Sequence, residues 1–141
     1  MKRAIVIDDD KSLRAVISAI LKKRGYEVHA YAGPIHCPIY LDHECPCPAE
    51  HACANIIITD VEMPNVRGPE FIENQKRNGC KVENIAVMSG KWEDSELEHI
   101  KRLGCKIFDK PFKIDELNRW LDECEEKTEP DFKLSDLPRK A

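Results

Sequence analysis

Four short apolar runs of this chain each end on a polar side chain, and that arrangement narrows the possible folds most. Ile5-Val6-Ile7 runs into Asp8-Asp9-Asp10, and Ile56-Ile57-Ile58-Thr59 into Asp60. Ile85-Ala86-Val87-Met88 runs into Ser89, and Lys106-Ile107-Phe108 is followed by Lys110-Pro111. Between the runs lie amphipathic stretches, the alternation of a parallel βαβ sheet. In such a sheet all four polar ends gather at the carboxyl edge, where open α/β sheets bind ligands.

The segments between follow the same pattern. Leu13, Val16, Ile17, Ile20 and Leu21 recur at helical spacing from Lys11 to Arg24, and Gly25 supplies the stop. A second strand is expected over Glu27–Tyr31, a third over Asn55–Thr59, a fourth over Asn84–Met88 and a fifth over Cys105–Phe108. Pro69 suits the first turn of a weakly amphipathic helix reaching about Arg77. Leu97, Ile100 and Leu103 mark the next helix, closed by Gly104, and Ile114, Leu117, Leu121 and Cys124 line the last. Asp10 is placed to cap the first helix. The tail from Thr128 to Ala141, with Pro130 and Pro138, is expected to run irregularly over the surface.

At 141 residues the chain is the length of one domain with a full core. A formal net charge of -4, with no continuous stripe among its 22 basic residues, argues against direct nucleic-acid binding. The sequence offers neither a signal peptide nor a run apolar enough to cross a membrane, so a soluble cytoplasmic protein with no membrane partner is expected.

Acidic groups packed at one strand end repel one another, and a divalent cation relieves that repulsion. Mg²⁺ prefers oxygen ligands and often bridges carboxylates to phosphate. Asp60 can then act as a carboxylate nucleophile toward phosphorus, with the metal and Lys110 neutralising charge and the Ser89 hydroxyl donating a hydrogen bond.

Asp8-Asp9, Asp60 followed by Met63-Pro64 and Gly68, Ser89, and Lys110-Pro111-Phe112 together resemble the receiver domain of bacterial two-component response regulators. The likeness spans residues 1–127. It implies a flavodoxin-like, doubly wound, five-stranded parallel sheet of order 2-1-3-4-5, with helices on both faces. It further implies that Asp60 is the phosphoacceptor for a sensor histidine kinase or phosphotransfer protein. Asp9 would ligate Mg²⁺ directly, Asp8 mostly through water, with Asp60 and the backbone carbonyl of Glu62 completing the set. Lys110 would pair with the phosphoryl group, Ser89 would report its arrival, and the Lys110-Pro111 bond would often be cis. By position, Glu62 and Lys91 would modulate the phosphoryl lifetime, a salt bridge between them hindering water. Receivers usually carry Phe or Tyr three residues before the lysine as a rotameric switch; here that switch position is Ile107, with Phe108 facing the other way. Gly90 stands where alanine is common, which loosens the following loop.

Residues 33–54 break the rhythm with four prolines, four cysteines and three histidines, and cannot form the long helix expected there. Cys37, Cys45, Cys47 and Cys53 fall within 17 residues, beside His36, His43 and His51. Four thiolates can close a tetrahedral Zn²⁺ site, with His51 the likeliest substitute ligand. An iron–sulfur cluster and plain or redox-active thiols are the alternatives. Cys80, Cys105 and Cys124, like His29 and His99, read as packing residues.

Three functions follow. The first is a phosphoacceptor in a two-component system or phosphorelay, not an enzyme in its own right. About a dozen residues follow the last helix, so its output is expected through a protein contact or onward phosphotransfer. The contact face expected for the family would present Trp92, Trp120 and Glu123–Glu126. The second is a metal or redox sensing module on a receiver scaffold. The third, a haloacid-dehalogenase-like phosphatase built on Asp8-x-Asp10, lacks the later acid pair and leaves Asp60-Val61-Glu62-Met63-Pro64 unexplained.

Overall fold

The computed structural model describes residues 2–33, 44–47, 51–62, 67–91, 93–111, 113–128, 132–135 and 137. Its elements are β1 (Lys2–Ile7), α1 (Lys11–Lys23), β2 (Tyr26–Tyr31), β3 (His51–Ala52), β4 (Ile56–Asp60), α2 (Gly68–Arg77), β5 (Asn84–Ser89), α3 (Asp94–Arg102), β6 (Lys106–Asp109), α4 (Ile114–Lys127) and β7 (Lys133–Leu134).

Five strands form one parallel sheet in the order β2-β1-β4-β5-β6. Because the short β3 is interposed in the chain, this is the expected 2-1-3-4-5 order. The three central strands are apolar on both faces, as sandwiched parallel strands must be; Ile5, Ile57, Ile58, Ala86 and Val87 are essentially inaccessible. The edge strands β2 and β6 are only partly buried.

Each face has its own core. Ile17 and Leu21 of α1 and Leu117, Trp120, Leu121 and Cys124 of α4 cover one face, with Phe108 edge-on to Trp120 at 5.9 Å between centroids. Phe71 and Ile72 of α2 and Ile100 of α3 cover the other. On that second face, Ala52, Cys53, Ala54, Phe132 and Leu137 also pack against the sheet.

The tail does not stay irregular. Lys133–Leu134 pairs in parallel with His51–Ala52, and the Ser135 N–H donates to the Ala52 carbonyl at 2.9 Å. Arg3 stitches this corner to the main sheet: its Nη1 donates to the carbonyls of Cys53 (2.8 Å) and Ser135 (2.9 Å). Two apolar residues counted toward helix stripes, Val16 and Ile114, are in fact exposed. At the far end, Arg24 closes α1 against Asp122 and Glu125 of α4.

Asp10 caps α1 as expected, its Oδ1 accepting from Ser12 N (2.9 Å) and Leu13 N (3.2 Å). Asp10→Ala leaves two helix donors unmatched. A loss of about 1 kcal/mol in urea unfolding is expected, with the slope unchanged because the core is untouched.

Candidate functional site

The topology places four chemistries at one end. Asp8 follows β1, Asp60 ends β4, Ser89 ends β5 and Lys110 follows β6. The strand order turns back between β1 and β4, so the crevice lies at a topological switch point.

Its walls are made by burial. Asp8 is fully inaccessible, Asp60 is 5% exposed and Ser89 1%, whereas Asp9 is exposed. The carboxylates of Asp8, Asp9 and Asp60 bring one oxygen each within 4.8 Å of the others, the only such group of potential ligands among the described residues. Lys110 Nζ bridges the inner two, at 3.2 Å from Asp8 Oδ2 and 3.2 Å from Asp60 Oδ1.

Backbone contacts hold these groups. Asp8 Oδ1 accepts from the Asp10 N–H at 2.8 Å, and the Asp8 carbonyl accepts from Arg14 Nη1 at 2.7 Å. The Lys110 N–H donates to the Ser89 carbonyl at 2.8 Å, and the Lys110-Pro111 bond is cis. Ser89 Oγ donates to the Lys91 carbonyl at 2.9 Å and accepts from the Lys91 N–H at 3.0 Å. Gly68 opens α2 with its Cα against the strand end carrying Asp60; a Cβ there would stand 2.3 Å from the Asp60 carbonyl oxygen.

Burial pushes the Asp60 carboxyl above the usual carboxylate range and the charge of Asp8 adds to that, while Lys110 and the Glu62 N–H pull the other way. Asp8 is raised for the same leading reason, with the Asp10 N–H and Lys110 opposing and Asp9 adding repulsion. Burial would lower the Lys110 ammonium, but the two carboxylates outweigh it and hold it above the ordinary lysine range. Two buried carboxylates that share one lysine, with an exposed third beside them, suit a hard divalent cation.

A raised carboxyl contributes stability only below its unfolded pKa and loses it as pH climbs through the folded value. The melting temperature gained by adding Mg²⁺ in place of chelator is therefore expected to be small in acid. It should grow as Asp8 and Asp60 ionise, and calorimetry at a series of pH values in both buffers measures it. A gain independent of pH would remove these carboxylates as the ligands.

The remaining expected site residues scatter. Glu62 and Lys91 are exposed, and no ion pair joins them among the described residues. The charge of Glu62 bears instead on Arg67, whose guanidinium holds Glu96 at 2.5 Å. Ile107 is half-buried on the α2–α3 face, and Phe108 is buried on the other. Trp120 is a core residue at 7% exposure rather than a presented one. Met63, Pro64, Trp92 and Phe112 lie outside the described residues, as do Cys37, His36 and His43. Cys45, Cys47 and Cys53 are described with free thiols, at the opposite edge of the sheet from Asp60. His29 and His99 face Glu27 and Glu73 at 3.2 and 3.3 Å. Arg14 went unnoticed in the sequence, since a helix-surface arginine carries no mark of the carbonyl it reaches.

The family model for the response regulator receiver domain matches residues 4–122. Among solved structures, the chain is similar to the Vibrio cholerae chemotaxis protein CheY4 at 25% identity and a TM-score of 0.69, covering 88% of this chain and 98% of that one. A response regulator receiver protein from Pseudomonas putida gives 22% identity and a TM-score of 0.72, covering 86% and 96%. A CheY-like receiver domain from Methanospirillum hungatei gives 20% and 0.70, covering 91% and 99%. No curated protein matches the chain.

Proposed function

As the chain belongs to the response regulator receiver family, whose members are phosphoacceptors in two-component signalling, we propose that Asp60 takes a phosphoryl group from a sensor histidine kinase or phosphotransfer protein in the cytoplasm. One observation carries this reading: Lys110 Nζ stands 3.2 Å from both Asp8 and Asp60 in a crevice that buries the two carboxylates.

An Asp60 oxygen forms the new bond to phosphorus, and the bond from phosphorus to the donor's imidazole nitrogen breaks, leaving an acyl phosphate on β4. Lys110 is placed to leave Asp60 for the phosphoryl oxygens while still held by Asp8, so the charge that arrives meets a cation already in position. Asp8, Asp9, Asp60 and the carbonyl of Glu62 would hold Mg²⁺, which when bound supplies further charge neutralisation on those oxygens. Ser89 Oγ, now donating to the Lys91 carbonyl, can exchange that acceptor for a phosphoryl oxygen and so release the loop behind it. With an aliphatic Ile107 at the switch position, this loop is the first element to carry the signal to a protein target or a further phosphotransfer step.

The test is incubation with acetyl phosphate, in Mg²⁺ and in chelator, followed by intact-mass measurement and borohydride reduction to locate the acyl phosphate. One phosphoryl group at residue 60, gained only with Mg²⁺, is expected. Uptake at another residue, or none, would reject the assignment. A haloacid-dehalogenase-like reading places the acyl phosphate on Asp8 instead, and the same mapping separates the two.

A further inference from the structure

We propose that Cys45, Cys47, Cys53 and Cys80 form a four-thiolate zinc site at the amino edge of the sheet, across the domain from Asp60. The four come from three separate stretches. Cys45 and Cys47 lie in the proline-broken segment, Cys53 three residues before β4, and Cys80 just past α2, ahead of β5. Strands β4 and β5 are parallel neighbours, so their lead-in residues share an edge.

Hydrogen bonds converge on the same place. The Cys45 N–H donates to the Asn78 carbonyl at 2.6 Å, two residues from Cys80. Ser135 Oγ donates to Cys47 Sγ at 3.1 Å, the kind of N–H or O–H support that orients a ligating sulfur. Cys47, Cys53 and Cys80 all belong to the packing on the α2–α3 face. Within the group, the charges of Cys45 and Cys47 bear on both Cys53 and Cys80, and that of Cys80 bears on Cys53.

The chemistry selects the occupant. Thiolates are soft ligands and four of them suit zinc in a closed structural site. No three of the sulfurs lie mutually within 4.8 Å, whereas four on one ion at about 2.3 Å must stand closer than that. Loading therefore draws the loop inward: four S–H protons leave to solvent, four Zn–S bonds form, and no atom changes oxidation state. Lys81, whose charge already bears on Cys45, offsets the negative charge of the filled site.

Such a site would tie Cys45 and Cys47, each followed by a proline, to the sheet without a core of their own. It joins them to the β5 lead-in, and through Ser135 to the carboxyl-terminal tail. In this set Cys80 is the fourth ligand in place of Cys37, which lies outside the described residues. The signal for Cys80 was its position ahead of β5, on the same edge as Cys53.

The test uses the full chain, untagged and purified anaerobically without chelator. About one zinc per chain is expected, released by an organomercurial, with Co²⁺ in its place giving intense thiolate charge-transfer absorption. Cys80→Ser should lose the metal, whereas Cys105→Ser and Cys124→Ser should keep it. Because Cys80→Ser can also fail to fold, the cobalt spectrum of the parent chain decides independently. Absence of metal, iron with sulfide, a disulfide among the four, or full zinc retention in Cys80→Ser would each overturn the proposal. Acetyl phosphate labelling of the same samples keeps the two sites distinct: zinc without labelling supports this site and counts against the Asp60 reading alone.

Discussion

Asp60→Asn is expected to take up no phosphoryl group and yet to melt higher than the parent chain in chelator. The amide has no nucleophilic oxygen anion, so labelling by acetyl phosphate should fall from one group per chain to background. Stability moves the other way. The Asp60 carboxyl is buried at 5% exposure and its pKa lies above the ordinary range, which means the fold disfavours its ionised form. That penalty applies at neutral pH, is absent below the unfolded pKa, and vanishes when the group becomes a neutral isostere. Lys110 keeps Asp8 as its partner in the variant, at 3.2 Å. A gain on the order of 1 kcal/mol, roughly 4 °C, is the expected size. Intact mass and scanning calorimetry on one preparation report both arms. A variant that melts lower would show that the bridge from Lys110 outweighs the cost of burying Asp60. Opposed effects of this kind are what a site that stores repulsion for function should display.

Gly68→Ala should be the most damaging single methyl in the domain. The added carbon would meet the Asp60 carbonyl oxygen at 2.3 Å and the Val61 Cα at 3.1 Å. Both are backbone atoms, so no rotamer change relieves the contact. The helix cannot back away without losing the bond from the Gly68 N–H to the Val61 carbonyl, 2.9 Å long. A loss of about 3 kcal/mol or more is expected in urea unfolding, together with weakened phosphoryl uptake, because the displaced backbone is that of Asp60. Gly90→Ala is the natural comparison. Its Cβ meets nothing closer than the Lys110 Cβ at 3.6 Å, and its φ lies outside the left-handed region. A neutral or slightly stabilising change, up to about 1 kcal/mol, is expected there. Equal damage from both substitutions would mean that the close approach at Gly68 is not what shapes the site.

The strands were legible because Ile5-Val6-Ile7, Ile56-Ile57-Ile58 and Ile85-Ala86-Val87 are apolar on both faces, which only a sandwiched strand requires. The crevice was legible because each of its polar groups sits at the end of such a run, and topology alone then brings them together. Asp10 was legible because an acid directly before a helical stripe is a cap. What stayed hidden depended on partners remote in sequence. Ser135 reaches Cys47 across 88 residues and pairs the tail with His51–Ala52, and neither contact leaves a periodic trace. No Glu62–Lys91 bridge forms among the described residues, for the opposite reason. Two exposed side chains near one site have many partners available, and the charge of Glu62 falls on Arg67. Cys80 looked like any half-buried thiol until the sheet edge gave it neighbours.

Strand β4 starts beside the thiols and ends on Asp60, and its length decides how the two ends can communicate. Its four internal steps alone cover about 13 Å at ~3.3 Å each. The ionic screening length at physiological salt is only about 8 Å. That length governs exposed charges; Cys53 and Asp60 are buried, so a charge gained at the sulfurs would still bear on Asp60. A displacement would travel less readily, because the strand between them is hydrogen-bonded on both sides by β1 and β5. A charge change at one end would thus reach the other as a field along β4 rather than as a movement of it.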